Sequence, residues 1–124
     1  MSVLVDSDIL IEVSRGRDTA IVERWMALSR SVEAVLYTPV TAAELWAGAR
    51  PGEQELLTRL FQAIDCAPLD EETGRMAGAF LRQFHKSHSV ELGDALIAAA
   101  AVQQEAMLWT RNRKHYPMAG VRFY

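Results

Sequence analysis

The chain has 124 residues, of which 50% are apolar, and its formal net charge is −3. This length suits a single domain over residues 1–124 with one buried core, and the apolar content excludes general disorder. The negative charge excludes a protein coated in phosphate-binding cations, so a nucleic-acid partner would require a local basic patch. No apolar run approaches the roughly 18 residues of a membrane span, and the N-terminus lacks the layout of a signal peptide. We therefore expect a soluble, cytoplasmic protein without a membrane partner.

The first half of the chain alternates apolar segments with amphipathic ones. The predicted elements are a strand at Val3–Val5, a helix capped by Ser7, a helix from residue 18 or 19, a strand at Leu36–Val40 and a short helix over residues 41–49. Pro39 indicates that the second strand stops there or runs at an edge, because proline cannot donate to a strand ladder. Thr41-Ala42-Ala43-Glu44 matches a capping box, in which Thr41 and Glu44 satisfy backbone amides at a helix start.

The second half of the chain continues this alternation of helices and strands. The predicted elements are a helix over 56–64, a strand at 65–67, a long helix capped by Asp70, a polar turn at 86–91, an alanine-rich helix over 92–105, and strands at 107–110 and 121–123. Strands separated by helices imply an α/β fold, with a central, mainly parallel sheet of four or five strands between two layers of helices. Cys66 has no partner for a disulfide, and its apolar neighbours predict a buried, inert thiol.

Three carboxylates lie where apolar strands give way to helices or where helices begin. Asp6 follows the first strand, Glu44 lies just beyond the second, and Asp94 opens the alanine-rich helix. Each alone has a structural explanation as a helix cap or as a charge near a helix N-terminus. Together they lie near one rim of the predicted sheet, where open α/β folds bind their ligands. Because carboxylates gathered there repel one another, the pattern indicates a Mg²⁺ or Mn²⁺ site of a metal-dependent phosphodiesterase.

A local basic patch follows the strand at 107–110. Arg111, Arg113 and Lys114 lie within four residues of one another and offer contacts for flanking phosphates. The alternative explanation is a solvated surface run without a ligand. The patch explains how a net-acidic protein could bind a nucleic acid.

Four blocks of sequence carry a family resemblance. They are residues 3–11 (VLVDSDILI), 41–49 (TAAELWAGA), 93–101 (GDALIAAAA) and 110–116 (TRNRKHY). In this order, and at this chain length, they resemble the PIN-domain ribonucleases, and specifically the VapC-type toxins of prokaryotic toxin–antitoxin pairs. The resemblance implies a PIN-like fold, Mg²⁺-dependent endoribonuclease activity with Mn²⁺ as a substitute, and hydrolysis of RNA by a metal-activated water. It also implies a cognate antitoxin as partner and a homodimer.

The resemblance assigns roles to single positions of this chain. It implies that Asp6, Glu44 and Asp94 are the acidic metal ligands, and that Asn112 also belongs to the catalytic residues. Many relatives have aspartate where this chain has Asn112, which leaves the number of metal ions open. The substrate-binding residues that it implies are Ser7, which also braces the site, and Thr110, Arg111, Arg113 and Lys114. His115, which stands where another acid often occurs, contacts RNA or forms hydrogen bonds at the surface.

Two other functions fit parts of the sequence. Asp6-Ser7-Asp8 after the first strand matches the start of a phosphatase of the haloacid dehalogenase type, with Asp6 as nucleophile, although that class's later lysine and paired-aspartate motifs are absent. A non-catalytic binding module that has kept the PIN fold is the third reading, because the chain lacks a fourth acid at Asn112.

Overall fold

A computed structural model describes all 124 residues. The fold is built on one sheet of five parallel strands in the order β3-β2-β1-β4-β5, which confirms the predicted fold class. The strands are β1 (Ser2–Val5), β2 (Ala34–Tyr37), β3 (Asp65–Cys66), β4 (Met107–Trp109) and β5 (Arg122–Phe123). No helix combines the length and the apolar character that crossing a membrane requires.

Six helices cover the two faces of this sheet. They are α1 (Ser7–Arg15), α2 (Thr19–Ser29), α3 (Pro39–Ala47), α4 (Gln54–Ala63), α5 (Glu71–His88) and α6 (Leu92–Gln103), and a 3₁₀ turn follows at Arg113–His115. The alternation of side chains along central strand β1 separates the core into two halves. Val3 and Val5 pack with residues of α1 to α4, whereas Leu4 packs on the opposite face with residues of α5 and α6. The fold therefore has three layers.

Helix α6 lies directly against the sheet because its side chains are small. The run Ala98–Ala101 is almost completely buried and belongs to the same core as Leu4 and Leu108. Alanine allows the helix backbone to approach its neighbours closely, as the sequence predicts. This packing fixes the N-terminal turn of α6, which carries Asp94, beside the C-terminal end of β1.

The boundary between β2 and α3 differs from the prediction. The strand ends at Tyr37, Thr38 is the N-cap of α3, and Pro39 is its first residue. The physical reason is that proline at the first helical position needs no hydrogen-bond acceptor and already has a helical φ. The predicted capping box at Thr41 is therefore wrong, and Glu44 lies inside the helix, where its side chain is available to the site.

Three smaller predictions are also corrected. Asp6, and not Ser7, is the N-cap of α1, since the Asp6 carboxylate accepts a hydrogen bond from the Ser7 amide. The predicted turn from residue 86 begins later, because α5 continues to His88. Cys66 is exposed instead of buried, because the two-residue strand β3 lies at the edge of the sheet.

Replacing Thr38 with alanine tests the observed start of α3. Thr38 is fully buried and its hydroxyl accepts a hydrogen bond from the Thr41 amide. We expect Thr38→Ala to lower the free energy of unfolding by about 1 kcal/mol, a typical value for loss of an N-cap. Urea denaturation measures this change, and Thr58→Ala, at an exposed helical threonine, is the matched control. Equal stabilities for the two variants would contradict the assigned cap.

Candidate active site

The C-terminal ends of the central strands open into a cavity of about 440 Å³. Because the strands are parallel, the segments that follow β1 and β4 reach the same rim of the sheet, and α3 and α6 add residues from the sides. The carboxylates that line the cavity are Asp6, Asp8, Glu44, Glu91 and Asp94, and Ser7 and Asn112 add neutral polar groups. The three predicted acids therefore face one cavity, together with two acids that were not predicted to be part of the site.

Asp6 is the most buried of these acids and the most firmly held. Its Oδ1 accepts a hydrogen bond from the Ser7 amide at 2.7 Å. Its Oδ2 accepts from the Thr110 hydroxyl at 2.8 Å and from the Tyr116 hydroxyl at 2.9 Å. Burial, and then the nearby negative charge of Asp8, raise the pKa of Asp6 from 3.8 to about 6 in spite of these donors. The pKa of Tyr116 is raised as well, by burial and by the negative charge of Asp6.

Ser7 links the first acid to the second. Its hydroxyl donates to Oε1 of Glu44 at 2.9 Å and lies 3.1 Å from the hydroxyl of Thr41. Both threonine and glutamate belong to α3, so this contact joins the N-terminus of α1 to the middle of α3. Ser7 and Glu44 both line the cavity, and this contact is the one that the bracing role predicted for Ser7 would require.

Asp94 has two partners near the N-terminus of α6. Its Oδ2 accepts a hydrogen bond from the Glu91 amide at 3.1 Å and lies 3.3 Å from Nδ1 of His115. His115 is half-buried and lies within hydrogen-bond distance of Asp94, while its predicted contact with RNA stays a prediction.

None of the basic residues in the segment after β4 lines the cavity. Thr110 is buried and its hydroxyl faces Asp6. The Arg111 guanidinium lies 3.6 to 3.9 Å from three carboxylates, those of Asp8, Glu12 and Asp18. Asn112 lines the cavity. Arg113 and Lys114 are exposed outside the cavity and form no ion pair with a carboxylate.

The donor set suits a hard divalent cation, although its side chains are turned to protein partners. No group of three or more histidine, cysteine, aspartate and glutamate side chains is arranged to hold a metal ion as it stands. Asp6, Glu44 and Asp94 each accept a hydrogen bond from a protein group. Carboxylate oxygens are the ligands that Mg²⁺ and Mn²⁺ prefer. The raised pKa of Asp6 and the buried, unpartnered Oδ1 of Asp8 both indicate negative charge that a cation would compensate.

Comparison with known proteins assigns the family. A family model described as "PIN domain" matches residues 3–121. The chain belongs to the PIN-domain family. It is 38% identical to ribonuclease VapC10 of Mycobacterium tuberculosis over 117 residues, which cover 94% of this chain and 86% of the relative. It is also 32% identical to ribonuclease VapC19 of the same species, over 93% of this chain and 92% of that one. The chain is thus a VapC-type PIN-domain ribonuclease, which confirms the resemblance found in the four sequence blocks.

A solved structure supports the same assignment. A toxin–antitoxin complex from Klebsiella pneumoniae contains a chain that is 27% identical, covers 97% of this chain and 95% of its own, and superposes with a TM-score of 0.76. The family matches favour a nuclease over a phosphatase of the haloacid dehalogenase type.

Two residues at the site escaped the sequence analysis. Tyr116 donates to Asp6 across 110 positions, and no local pattern signals such a contact. Asp8 was visible in Asp6-Ser7-Asp8, but the alternation of faces on a helix does not reveal that both aspartates line one cavity.

The raised pKa of Asp6 predicts how the stability of the metal-free protein depends on pH. The folded state holds the Asp6 proton more tightly than the unfolded state, so the contribution of Asp6 to stability is greatest below about pH 3.8 and is lost as the pH rises through about 6. The change from 3.8 to about 6 corresponds to roughly 3 kcal/mol at about 1.36 kcal/mol per pH unit. In urea denaturation with a chelator, the wild type should lose stability relative to Asp6→Asn between about pH 4 and 7. Asparagine still caps α1, and parallel curves would contradict the prediction.

Tyr116→Phe tests the hydrogen bond that favours ionised Asp6. The phenolic hydroxyl lowers the pKa of Asp6 by donating to its carboxylate, so its removal should raise that pKa above about 6. Carboxyl-carbon NMR titration of metal-free protein measures the change. Tyr124→Phe is the matched control, because Tyr124 does not line the cavity. The same Asp6 pKa in all three proteins would refute the assigned role of Tyr116.

Proposed function

We propose that this chain is a Mg²⁺-dependent endoribonuclease, the toxin of a toxin–antitoxin pair, with Mn²⁺ as a substitute ion. Asp6, Glu44 and Asp94 are its metal ligands. The observation that carries the proposal is that these acids, which are distant in sequence, line one cavity at the C-terminal rim of a parallel sheet in a PIN-domain chain.

The chemistry proposed is hydrolysis of a phosphodiester bond of RNA by water. A divalent ion at such a site orients the phosphate, stabilises its developing charge and lowers the pKa of a bound water. The residues of the chain supply the ion's oxygen ligands and hold them in place. Thr110 and Tyr116 fix the Asp6 carboxylate, and Ser7 fixes that of Glu44. The products expected from the family resemblance have a 5′-phosphate and a 3′-hydroxyl.

RNA binding is assigned mainly to two of the three predicted cations. The Arg113 guanidinium stacks 4.8 Å from the centre of the Phe123 ring, a contact that leaves its positive charge uncompensated. Lys114 is exposed beside it. The charge of Arg111, in contrast, is shared among neighbouring carboxylates, so its role in phosphate binding is smaller. Asn112, at the rim of the cavity, offers an amide to the substrate or to a water.

The proposal extends to partners and organisation. The Klebsiella relative was solved as a toxin–antitoxin complex, and we infer that this chain likewise has a cognate antitoxin. We also propose a homodimer, which the family resemblance implies, and a cytoplasmic location. The whole of residues 1–124 acts as one nuclease domain, of which the family model covers 3–121.

Asp94→Asn tests the assigned activity. The variant keeps an oxygen for the Glu91 amide but removes a negative charge from the cavity, so we expect RNA cleavage to fall at least about a hundredfold while the fold is retained. The assay mixes purified protein with transfer, ribosomal and messenger RNA in Mg²⁺, in Mn²⁺ and in chelator, and maps the cut ends. Asp65→Asn, at an exposed aspartate outside the cavity, is the control and should cleave like wild type.

Three measurements on the same proteins separate the alternative functions. Cleavage that is lost in chelator, restored by Mg²⁺ and yields 5′-phosphate ends supports the nuclease. A covalent aspartyl-phosphate on Asp6 would instead identify a phosphatase. Absence of both cleavage and any Mg²⁺- or Mn²⁺-dependent change in stability would identify a non-catalytic binding module.

A further inference from the structure

Asp8 is a cavity residue to which the proposed function gives no role. It lies on the first turn of α1, two residues after Asp6, and its side chain is only 18% exposed. Its Oδ2 accepts a hydrogen bond from the Arg111 amide at 2.9 Å. Its Oδ1 is buried and has no hydrogen-bond partner. A buried carboxylate oxygen without a donor or a cation is costly, because it has lost water and gained nothing in return.

The neighbouring cation does not compensate this oxygen. The Arg111 guanidinium approaches Asp8 only at Oδ2, at 3.7 Å, and it is shared with Glu12 and Asp18. On the cavity side, Asp8 faces a space that it shares with Asp6 and other acids. Oδ1 is closed to a water molecule, and an uncharged water would also leave the repulsion between Asp6 and Asp8 in place.

A small divalent ion satisfies both requirements. Mg²⁺ binds oxygen at about 2.1 Å, whereas a water molecule stays at about 2.8 Å, so the ion reaches an oxygen that is closed to water. Its charge offsets the repulsion between the two aspartates. Oδ2 of Asp8 remains on the Arg111 amide, and this hydrogen bond holds the carboxylate so that Oδ1 is the oxygen left for the ion.

We propose that Asp8 is a fourth carboxylate of the divalent-ion site and contributes Oδ1 to the ion's ligand shell. The inference rests on the proposed function, because it adds a ligand to the ion that Asp6, Glu44 and Asp94 hold. It also adds a negative charge to a cavity in which Asn112 is neutral.

The competing explanation is that Asp8 only anchors the segment after β4. Asp8→Asn separates the two roles, because the amide oxygen still accepts from the Arg111 amide but the negative charge is lost. Glu12→Gln is the matched control. Glu12 lies on the same helix, is largely buried and contacts the same arginine, but it does not line the cavity.

The experiment is calorimetric titration of Mn²⁺ and of Mg²⁺ into the full-length wild type, Asp8→Asn, Glu12→Gln and Asp94→Asn. We expect Asp8→Asn to raise the metal Kd at least about tenfold, as Asp94→Asn does, because each removes a charged ligand. Glu12→Gln should stay within about twofold of the wild type, because the charge that it removes does not line the cavity and is paired with Arg17. Circular dichroism verifies the fold of each variant, and Asp8→Ser replaces Asp8→Asn should the latter not fold.

Each result decides a different claim. Wild-type affinity in Asp8→Asn, together with weak binding in Asp94→Asn, would overturn the role of Asp8 and leave the proposed function standing. Equal losses in Asp8→Asn and Glu12→Gln would also overturn it, since a general charge effect would then explain both. A wild type that binds neither ion would overturn the inference and the metal-dependent function together.

Discussion

The buried carboxylate of Asp6 is the constraint on which the site depends. A carboxylate at this depth loses most of its hydration, and the chain responds with three donors from three segments: the Ser7 amide, the Thr110 hydroxyl and the Tyr116 hydroxyl. These bonds tie the end of β1 to α1 and to the segment after β4. Since the pKa of Asp6 remains raised even so, the donors alone do not compensate the cost of burying the charge, and the nearby Asp8 increases it. The site therefore holds an excess of negative charge, which a divalent cation would compensate.

The fold creates this situation through the central position of β1. Its two neighbours, β2 and β4, are both parallel to it, so the segments that leave all three strands meet at one rim. The alanines of α6 bring that helix close to the sheet and set Asp94 near the same point. Gly93 has the same effect on a smaller scale, because a Cβ at this position would lie 3.3 Å from a methyl group of Val40 on α3. Small residues therefore determine how near the acids of α3 and α6 approach.

The sequence predicted the layers and the three acids because both depend on local patterns. Because Asp6 directly follows an apolar strand, the sequence predicts that it lies at a rim of the sheet, whatever the order of the strands. The details that were predicted wrongly depend on competition between neighbouring residues for one role or on contacts made in the folded chain. Asp6 and Ser7 are both good caps, and the structure selects Asp6. Cys66 has apolar neighbours, but its exposure follows from the edge position of β3, and the contact between Tyr116 and Asp6 bridges the length of the chain.

The basic patch illustrates why charge along a sequence differs from charge in space. Arg111, Arg113 and Lys114 are equivalent in the sequence, yet the fold divides them. Arg111 lies among three carboxylates and joins α1 to the segment after β4, whereas the other two remain free of ion pairs. The arginine that is nearest to the acids is therefore the one that the protein itself holds, and it keeps Asp8 in place. The uncompensated cations lie outside the cavity, where they would attract a phosphate backbone without competing with a metal ion for the acids.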